Sequence, residues 1–324
     1  MPLFHRKSEE EKREDEEQRR QQAENQALQE TRFAEEQAIR EASLDSLQRG
    51  GIPIEAQRRL DDLRQRGGSF FTSDLTVNEF VLARQSGLEP LSQVMGCSIY
   101  HVGWQRMPGS SYFSSSQELR VVSEALNHAR ALALGRLSEE AQRIGANAVI
   151  GVHVNRSSYD WGTHLIEFNT VGTAVRVKGA AAAGRPGLTN LSGQDFWKLH
   201  QSGYWPLGVV AASTVYYVVA SWQTRAAGGW ARWYNQELGD FTQGLYTARH
   251  LCMGKVWDQA SELGGGGIVG MQIEQSEEEY EVELANDQHR TDMIFTFHAI
   301  GTAIAEVSDR PHVPTVYAGL SLKG

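Results

Sequence analysis

Apolar residues recur every three or four positions in two long segments of the chain, and the two segments align with each other. They run from Leu119 to Ile144 and from Leu238 to Leu263 at a constant offset of 119 residues. This spacing is typical of a helix with one buried face. Gly145 and Gly264 follow the stripes and predict where the helices end. The stripe positions, apolar in both segments, pair as Leu119/Leu238, Val122/Phe241, Leu126/Leu245, Ala129/Ala248, Ala133/Cys252, Leu137/Val256, Ala141/Ala260 and Ile144/Leu263.

The duplication continues on both sides of these helices. Glu79–Val102 aligns without a gap on Asp195–Val218 at an offset of 116, and Val171–Ala174 aligns on Ile300–Ala303 at an offset of 129. The offset grows because surface loops tolerate insertions. Two consecutive copies of one domain are therefore expected. We divide the chain into a leader (1–68), a first repeat (69–178), a linker (179–189), a second repeat (190–308) and a tail (309–324).

Each repeat is predicted to contain the same elements in the same order. A short helix comes first, and segments rich in β-branched and aromatic residues then flank the long helix, one before it and two after it. A strand, a long helix and a hairpin predict an α+β domain in which a mostly antiparallel sheet packs on one helix. The predicted short helices are 76–85 and 193–201, and the predicted strands are 91–104, 147–155, 163–177, 207–222, 268–274 and 290–307.

Residues 204–222 carry no charge over a length that would span a membrane. The aligned stretch of the first repeat contains Glu89, Gln93 and His101, and both stretches contain a proline and an internal glycine. A pair of buried strands explains these features better than a membrane span does.

The leader has the composition of a solvated helix. Residues 8–46 consist mainly of Glu, Arg, Gln and Ala, without Gly or Pro. Their few apolar residues make the helix resemble a coiled coil without sustaining a heptad. Gly50 and Gly51 predict a break, and Pro53 predicts the first turn of a second helix. We expect residues 1–66 to act as an arm toward a protein partner, since Leu3 and Phe4 offer little apolar surface to a membrane.

The overall charge and the cysteine content exclude some classes of protein. A net charge of -9 and a pI near 5.6 disfavour nucleic acid as a partner. The two cysteines lie at non-equivalent positions of the repeats, so no disulfide framework is indicated. The first residues lack the apolar stretch of a secretory signal. The expected location is the cytoplasm.

Two short motifs carry a family resemblance. Gly145–Gly151 reads Gly-Ala-Asn-Ala-Val-Ile-Gly and Val171–Val175 reads Val-Gly-Thr-Ala-Val, with looser versions at 264–270 and 300–304. Together with the order of elements, they resemble the YbjQ-like family, which is labelled as heavy-metal-binding, over about residues 74–307. The resemblance implies small β-α-β-β subunits, similar to the dodecin arrangement, that close into pentameric rings. This chain would then be a tandem member that forms a homo-oligomer, either a ring in which the copies alternate or two stacked layers.

The family label directs attention to groups that bind transition metals. His153 and His164 flank the predicted turn 156–162 and would face each other across a hairpin, with Asp160 as a third ligand. Cys97 and His101 share a strand face, but they are about 13 Å apart by the rise of a strand. The alternative is that these residues are ordinary polar groups on a solvated sheet face.

The sequence offers no catalytic set. Gly265–Gly270 has the letters of a dinucleotide motif, but a helix precedes it and a strand follows it, the reverse of what that motif needs. No nucleophile elbow, phosphate loop or Cys-x-x-Cys is present. We therefore expect a protein that is not an enzyme.

Trp230 and Trp233 lie in an insertion, residues 223–240, where a core role explains them least. Buried aromatic residues are common in protein interfaces, so we predict that both contribute to subunit contact. The leading hypothesis is an oligomeric binding or scaffold protein. Binding of a heavy metal is one alternative, and a small-molecule binder or enzyme with sites between subunits is another.

Overall fold

The computed structural model describes residues 9–65, 71–85, 87–102, 115–158, 165–177, 185–227, 235–284 and 288–306. The chain forms two compact units, residues 1–59 and 60–324. Both repeats lie in the larger unit. None of the helices in these ranges is long and apolar enough to cross a membrane.

The smaller unit holds helix α1 (Glu9–Gln48) and the first part of α2 (Ile54–Gln65). Gly50 lies between the two helices and has a φ of 84°, a left-handed conformation that ends a helix. Ser43 fixes the turn, because its Oγ accepts a hydrogen bond from the Ile54 amide at 3.1 Å and donates one to Glu55 at 3.1 Å. The predicted long helix and its break at the glycine pair are confirmed.

The two repeats contain matching elements, and the predicted order of strand, long helix and hairpin is confirmed. The elements of the first repeat are α3 (Val77–Gln85), β1 (Leu88–His101), β2 (Gln117–Glu118), α4 (Arg120–Arg143), β3 (Ala148–Ser158) and β4 (Leu165–Val177). Those that follow are β5 (Gly187–Leu188), α5 (Gly193–Gln201), β6 (Tyr204–Val218), α6 (Trp222–Ala227), α7 (Gly239–Glu262), β7 (Gly267–Leu284) and β8 (Gln288–Glu306).

Each repeat contributes three strands to one sheet, and a two-residue strand from outside that repeat is the fourth. The strand orders are β1-β4-β3-β5 and β2-β6-β8-β7. All pairs are antiparallel except β3 with β5. The register of β1 with β4 shifts between Pro90 and Ser92, and that of β6 with β8 shifts at the aligned residues Pro206 and Gly208. The irregularities were therefore duplicated together with the strands.

Several elements differ from the prediction, among them β6, β3 and β7. β6 ends at Val218, and Trp222 begins the short helix α6 instead of ending the strand. β3 continues to Ser158, three residues beyond its predicted end. β7 continues to Leu284, so the acidic run 277–283 lies on a strand. Strands lengthen when a neighbouring strand offers continued pairing, and the local composition of each segment does not reveal this.

The apolar stripes of the two long helices face the sheets as predicted. Ala129, Ala133, Leu137 and Ala141 of α4 have no exposed surface. Gly96 of β1 lets the helix approach, because a Cβ at this position would collide with the Ala133 carbonyl. In α7 the fully or almost fully buried residues are Ala248, Cys252, Val256 and Ala260.

Candidate functional site

The hairpin of the first repeat does not bring His153 opposite His164. The register of β3 and β4 places the exposed His153 opposite Val171. The expected pairing is wrong because β3 runs to Ser158 and moves the turn along the chain. His164 and Asp160 themselves lie outside the described residues, as do Trp230 and Trp233.

Cys97 and His101 lie on the edge strand β1, opposite Asn169 and Leu165. Burial raises the pKa of the Cys97 thiol, and the carboxylate of Glu167 raises it further. The thiol donates to Glu167 Oε1 at 3.8 Å. A soft-metal site needs a thiolate, and this environment disfavours one.

Within the described ranges, no three His, Cys, Asp or Glu side chains are grouped closely enough to hold a metal ion. A structural zinc site uses four such ligands and a catalytic site uses three. The described residues therefore do not fit a heavy-metal site.

The most extensive polar arrangement lies where the two repeats meet. The outer edge of β6 is covered by the first repeat: β2 pairs with it, with Gln117 opposite Tyr217. The Leu119 amide donates to the Val215 carbonyl at 2.8 Å, and the Val215 amide donates to Ser123 Oγ at 2.9 Å. The first turn of α4 thus satisfies a strand edge that would otherwise be unpaired.

The next turns of α4 continue along the same edge. Asn127 bonds both backbone groups of Ser213, accepting from its amide at 2.8 Å and donating to its carbonyl at 2.9 Å. Arg130 donates to Ser213 Oγ at 2.6 Å and to the Ala211 carbonyl at 2.8 Å. It also donates to the Oδ1 of Asn127. Two side chains of one helix therefore make the hydrogen bonds that a neighbouring strand would otherwise make.

An ion pair adds charge complementarity to this junction. Glu118 Oε1 of β2 lies 2.5 Å from the Nζ of Lys255 on α7. The lysine also donates to Thr214 Oγ1 at 3.3 Å. The Glu118 side chain is only 15% exposed, so the pair is better shielded from solvent than most surface pairs.

The end of the linker and the start of the second repeat return to the first repeat. Residues 187–191 run along the outer edge of β3, where the Thr189 amide donates to the Val149 carbonyl at 2.9 Å. The Val152 amide donates to Thr189 and the Gly151 amide donates to Leu191, at 2.9 and 2.8 Å. Each repeat thus gives one segment and receives one.

Between these strand contacts lies an apolar core shared by both repeats. The buried residues from the first repeat pack against residues of β6 and β8. The members of this core are Leu119, Leu126, Ala129, Ala133, Phe168, Val215, Tyr217 and Ile294. Shared apolar burial of this kind makes the junction an integral part of the fold.

A cavity of about 260 Å³ opens at the junction. Its lining includes Arg130 of α4, Phe168 of β4 and His298 of β8. Burial lowers the pKa of Arg130 to about 10. Burial, with the nearby charges of Arg156 and Arg130, lowers the pKa of His298 to about 3. At neutral pH the cavity therefore holds a buried cation and a neutral imidazole.

Comparison with known proteins bears on the first repeat in particular. Residues 113–178 match a YbjQ family model described as "Putative heavy-metal-binding". A UPF0145 protein of Clostridium novyi is 32% identical over 105 residues, which are 97% of that protein and 32% of this chain. The chain belongs to the YbjQ-like family.

Two further relatives extend the comparison. A UPF0145 protein of Methanocella arvoryzae is 39% identical over 69 residues, 21% of this chain and 56% of that protein. The encapsulin nanocompartment protein Rv1762c of Mycobacterium tuberculosis is 37% identical over 206 residues, 62% of this chain and 76% of that protein. Because 206 residues exceed the repeat offset of 119, this likeness extends beyond one YbjQ-like repeat.

The motif Val171–Val175 and its counterpart, residues 300–304, have a packing role in the two repeats. A Cβ on Gly172 would lie 2.8 Å from a methyl group of Val149, and one on Gly301 would lie 2.8 Å from the aligned Ile268. The threonine that follows anchors the start of its own repeat: the Asn190 amide donates to Thr302 Oγ1 at 3.1 Å. The Asp74 amide donates to Thr173 Oγ1 at 3.0 Å in the same way.

The apolar periodicity of α4 does not indicate the residues that form the junction, because Asn127 and Arg130 are polar positions outside its apolar stripe. The triplet Gln117–Leu119, which contributes β2, recurs as Gln236–Leu238 at the helix offset of 119. This repeated triplet is the feature of the sequence from which the junction could have been predicted. No such repetition marks the cavity residue His298, since its aligned residue is Asn169.

Proposed function

We propose that this chain is a non-enzymatic scaffold that assembles with further copies of itself into a ring, through the contact that already joins its own repeats. The single observation that carries the proposal is that each repeat has counterparts of both halves of this contact, with Tyr246 in place of Asn127. Within one chain, only the helix side of the first repeat and the strand side of the second repeat are joined. The two remaining halves are complementary, and such head-to-tail contacts generate rings when they close.

The helix side of the second repeat matches the helix side of the first. Gln236–Leu238 has the same sequence as Gln117–Leu119 and comes directly before α7, with Gln236 and Glu237 exposed. No strand in the described part of the chain pairs with it. Tyr246 and Arg249 stand at the positions of Asn127 and Arg130, and both are exposed.

The strand side of the first repeat is the outer edge of β1. It is an edge of its sheet among the described strands, whereas the aligned edge of β6 is covered. Ile99 is 59% exposed, and its counterpart Val215 is 4% exposed. Long exposed strand edges tend to pair with another chain. A second copy that brings Gln236–Leu238 to β1 would cover this edge.

Charge and apolar burial favour the same partner. The ion pair of Glu118 with Lys255 has a counterpart in Glu237 and Arg136, because Arg136 aligns with Lys255 at an offset of 119. Leu119 is 2% exposed at the existing junction, and its counterpart Leu238 is only half-buried. Arg136 donates to the Cys97 carbonyl of this edge at 2.5 Å, and a second copy would add Glu237 beside it and bury Leu238.

A buried polar atom on the strand next to the unjoined edge also has no hydrogen-bond partner among the described residues. Asn169 Oδ1 has no hydrogen bond to any described residue. Asn169 lies opposite Cys97, as His298 lies opposite Ser213, the residue that Arg130 contacts. Arg249 of a second copy would reach Cys97 by the same geometry and would bring donors close to this amide.

The other pair of edges matches as well. Residues 71–75 align with 187–191, the segment that covers β3. β7 aligns with β3, and no described strand pairs with its outer edge. Both unjoined contacts would form between the same two chains, since 71–75 and β1 belong to one repeat and β7 and α7 to the other.

The names of the relatives are consistent with assembly. The Mycobacterium tuberculosis relative is named as an encapsulin nanocompartment protein. Trp230 and Trp233 come just before Gln236 in the sequence and remain predicted interface residues. Residues 1–66 remain a predicted arm for a protein partner.

The test is the mass of the particle in solution, measured by native mass spectrometry and sedimentation equilibrium. We expect the wild type to form a discrete multiple of the 36.0 kDa chain. Arg249→Glu should reduce this particle to single chains, because it places a carboxylate against the backbone carbonyls of β1. A wild type that sediments as one chain would overturn the proposal.

A matched control lies on the same helix. His250 is also exposed, but it aligns with Ala131, which is exposed at the existing junction and so lies outside the contact. His250→Glu should leave the particle mass unchanged. If Arg249→Glu assembles as the wild type does, assembly uses a different surface.

A further inference from the structure

The cavity at the junction contains a buried positive charge that forms no ion pair with a described residue. Arg130 is 5% exposed, and its guanidinium donates to two neutral side chains and a backbone carbonyl and lies 5.9 Å from the centre of the Phe168 ring. A buried charge is costly unless it is paired, and hydrogen bonds to neutral groups compensate for this only in part. An anion in the cavity would supply the missing charge.

The cavity also contains a buried hydrogen-bond donor without an acceptor. Ser213 Oγ accepts from Arg130 and lies 2.6 Å from His298 Nδ1. The serine hydrogen is therefore available to Nδ1, and we assign the imidazole hydrogen to Nε2. No described residue makes a hydrogen bond with this Nε2, although the atom is buried. A buried N–H without an acceptor is destabilising, so an acceptor that enters the cavity would be stabilised.

The remaining lining has an apolar and a polar part. Phe168, Ala211 and Ile300 contribute apolar surface, while Arg156 and Glu274 are exposed residues of the rim. With Arg130, the ionised side chains sum to one positive charge. A cavity of about 260 Å³ is larger than an inorganic ion needs and suits a small organic molecule.

We propose that the cavity between the repeats binds a small organic carboxylate, with its carboxylate group at Arg130 and His298 Nε2 and its apolar body against Phe168. The carboxylate supplies the counter-charge for the guanidinium and an acceptor for the imidazole N–H. The site lies entirely within one chain, so it does not depend on assembly with other copies.

The test uses benzoate and hexanoate as probes, with benzamide as the uncharged match for benzoate. Isothermal titration calorimetry should detect binding of at least one carboxylate to the full-length protein, and the melting temperature should rise with its concentration. Benzamide should bind at least about tenfold more weakly, because it cannot neutralise Arg130.

Variants locate the binding. His298→Asn introduces the residue that the first repeat has at this position, and it should weaken binding about tenfold. Arg156→Gln changes an exposed rim residue, so the fold is retained, and it should also weaken binding. Arg84→Gln, an exposed change on α3, should have no effect.

Several results would overturn the inference. They are the absence of binding for both carboxylates, equal binding of benzamide and benzoate, or carboxylate binding that neither His298→Asn nor Arg156→Gln weakens. Inorganic phosphate that binds as well as the carboxylates would also contradict it, because the apolar surface would then play no part. A wild type that binds the carboxylates but sediments as one chain would overturn the proposed scaffold and support this inference.

Discussion

Tyr217 donates its phenolic hydrogen to Oδ2 of Asp292, a carboxylate with no exposed surface. Arg290 donates to the same oxygen through Nε at 3.0 Å and Nη2 at 2.7 Å, and the Ala220 amide donates to Oδ1 at 2.8 Å. Burial raises the pKa of Tyr217, so the phenol remains a donor at neutral pH. This cluster joins β6 to β8 at the end of the second sheet.

We predict that Asp292→Ala lowers the free energy of unfolding by about 3–5 kcal/mol, because it leaves Arg290 without its carboxylate in a mostly buried place. Tyr217→Phe should cost about 1–2 kcal/mol, since the carboxylate retains Arg290. Urea denaturation measures both. The control is Glu89→Ala, which removes an exposed ion pair with Arg176 and should cost less than about 1 kcal/mol. Equal losses in all three variants would contradict this account.

The acid sensitivity of the fold should depend on His298. Its pKa in the folded protein is about 3, below the ordinary value of 6.5. The unfolded chain therefore binds the extra proton between these values, and stability falls as the pH decreases through this window. The loss is about 1.4 kcal/mol per pH unit, or about 2 kcal/mol at pH 5.

Urea denaturation at pH 7 and pH 5 tests this, with the wild type compared with His298→Asn. Between pH 7 and pH 5, the free energy of unfolding of the variant should fall by about 2 kcal/mol less than that of the wild type, since the variant has no imidazole at this position. His153→Asn, at an exposed position of β3, should lose as much as the wild type. An identical pH dependence in all three proteins would refute the assignment.

Glycines of two kinds should respond in opposite directions to alanine. Gly301→Ala would place a Cβ 2.5 Å from the Met271 sulfur and 2.8 Å from a methyl group of Ile268, so we expect a loss of about 1–3 kcal/mol. Gly135 lies in the exposed middle of α4 with open space around it. Gly135→Ala should stabilise the protein by up to about 1 kcal/mol, because alanine favours the helix. Thermal denaturation distinguishes the two. A destabilising Gly135→Ala would mean that a further contact covers this helix face.

The thiol of Cys97 should react slowly with iodoacetamide at neutral pH, because the reactive form is the thiolate. Burial and the charge of Glu167 raise the pKa of this thiol, so little thiolate is present. Glu167→Gln should accelerate alkylation several-fold by removing the negative charge. Cys252, with no exposed surface and a pKa raised to about 11 by burial, should be alkylated only after unfolding. Mass spectrometry of the labelled peptides measures both rates.

The parts of the fold that repeat along the chain were predictable. The apolar stripes gave the two long helices, and the alignment of Pro90 with Pro206 gave matching strands. The junction was not predictable in the same way, because Asn127 binds a backbone more than eighty residues away in sequence. Contacts of a side chain with a strand edge leave no periodic pattern in the sequence.

The cavity was even less accessible to sequence reasoning. His298 and Arg130 come together only after both repeats have folded and docked. The expected histidine pair failed for a related reason, since the position of a hairpin turn depends on how far both strands continue to pair. Local sequence around His153 gives no measure of that length.

The covalent linkage of two repeats restricts the number of repeats that the proposed ring can contain. In the proposed ring, one of every two contacts between repeats lies within a chain, so a ring of n chains contains 2n contacts, of which n form between chains. A single ring in which first and second repeats alternate must also contain an even number of repeats. A single-layer ring of five repeats is therefore incompatible with alternation, whereas five chains would give a ring of ten repeats.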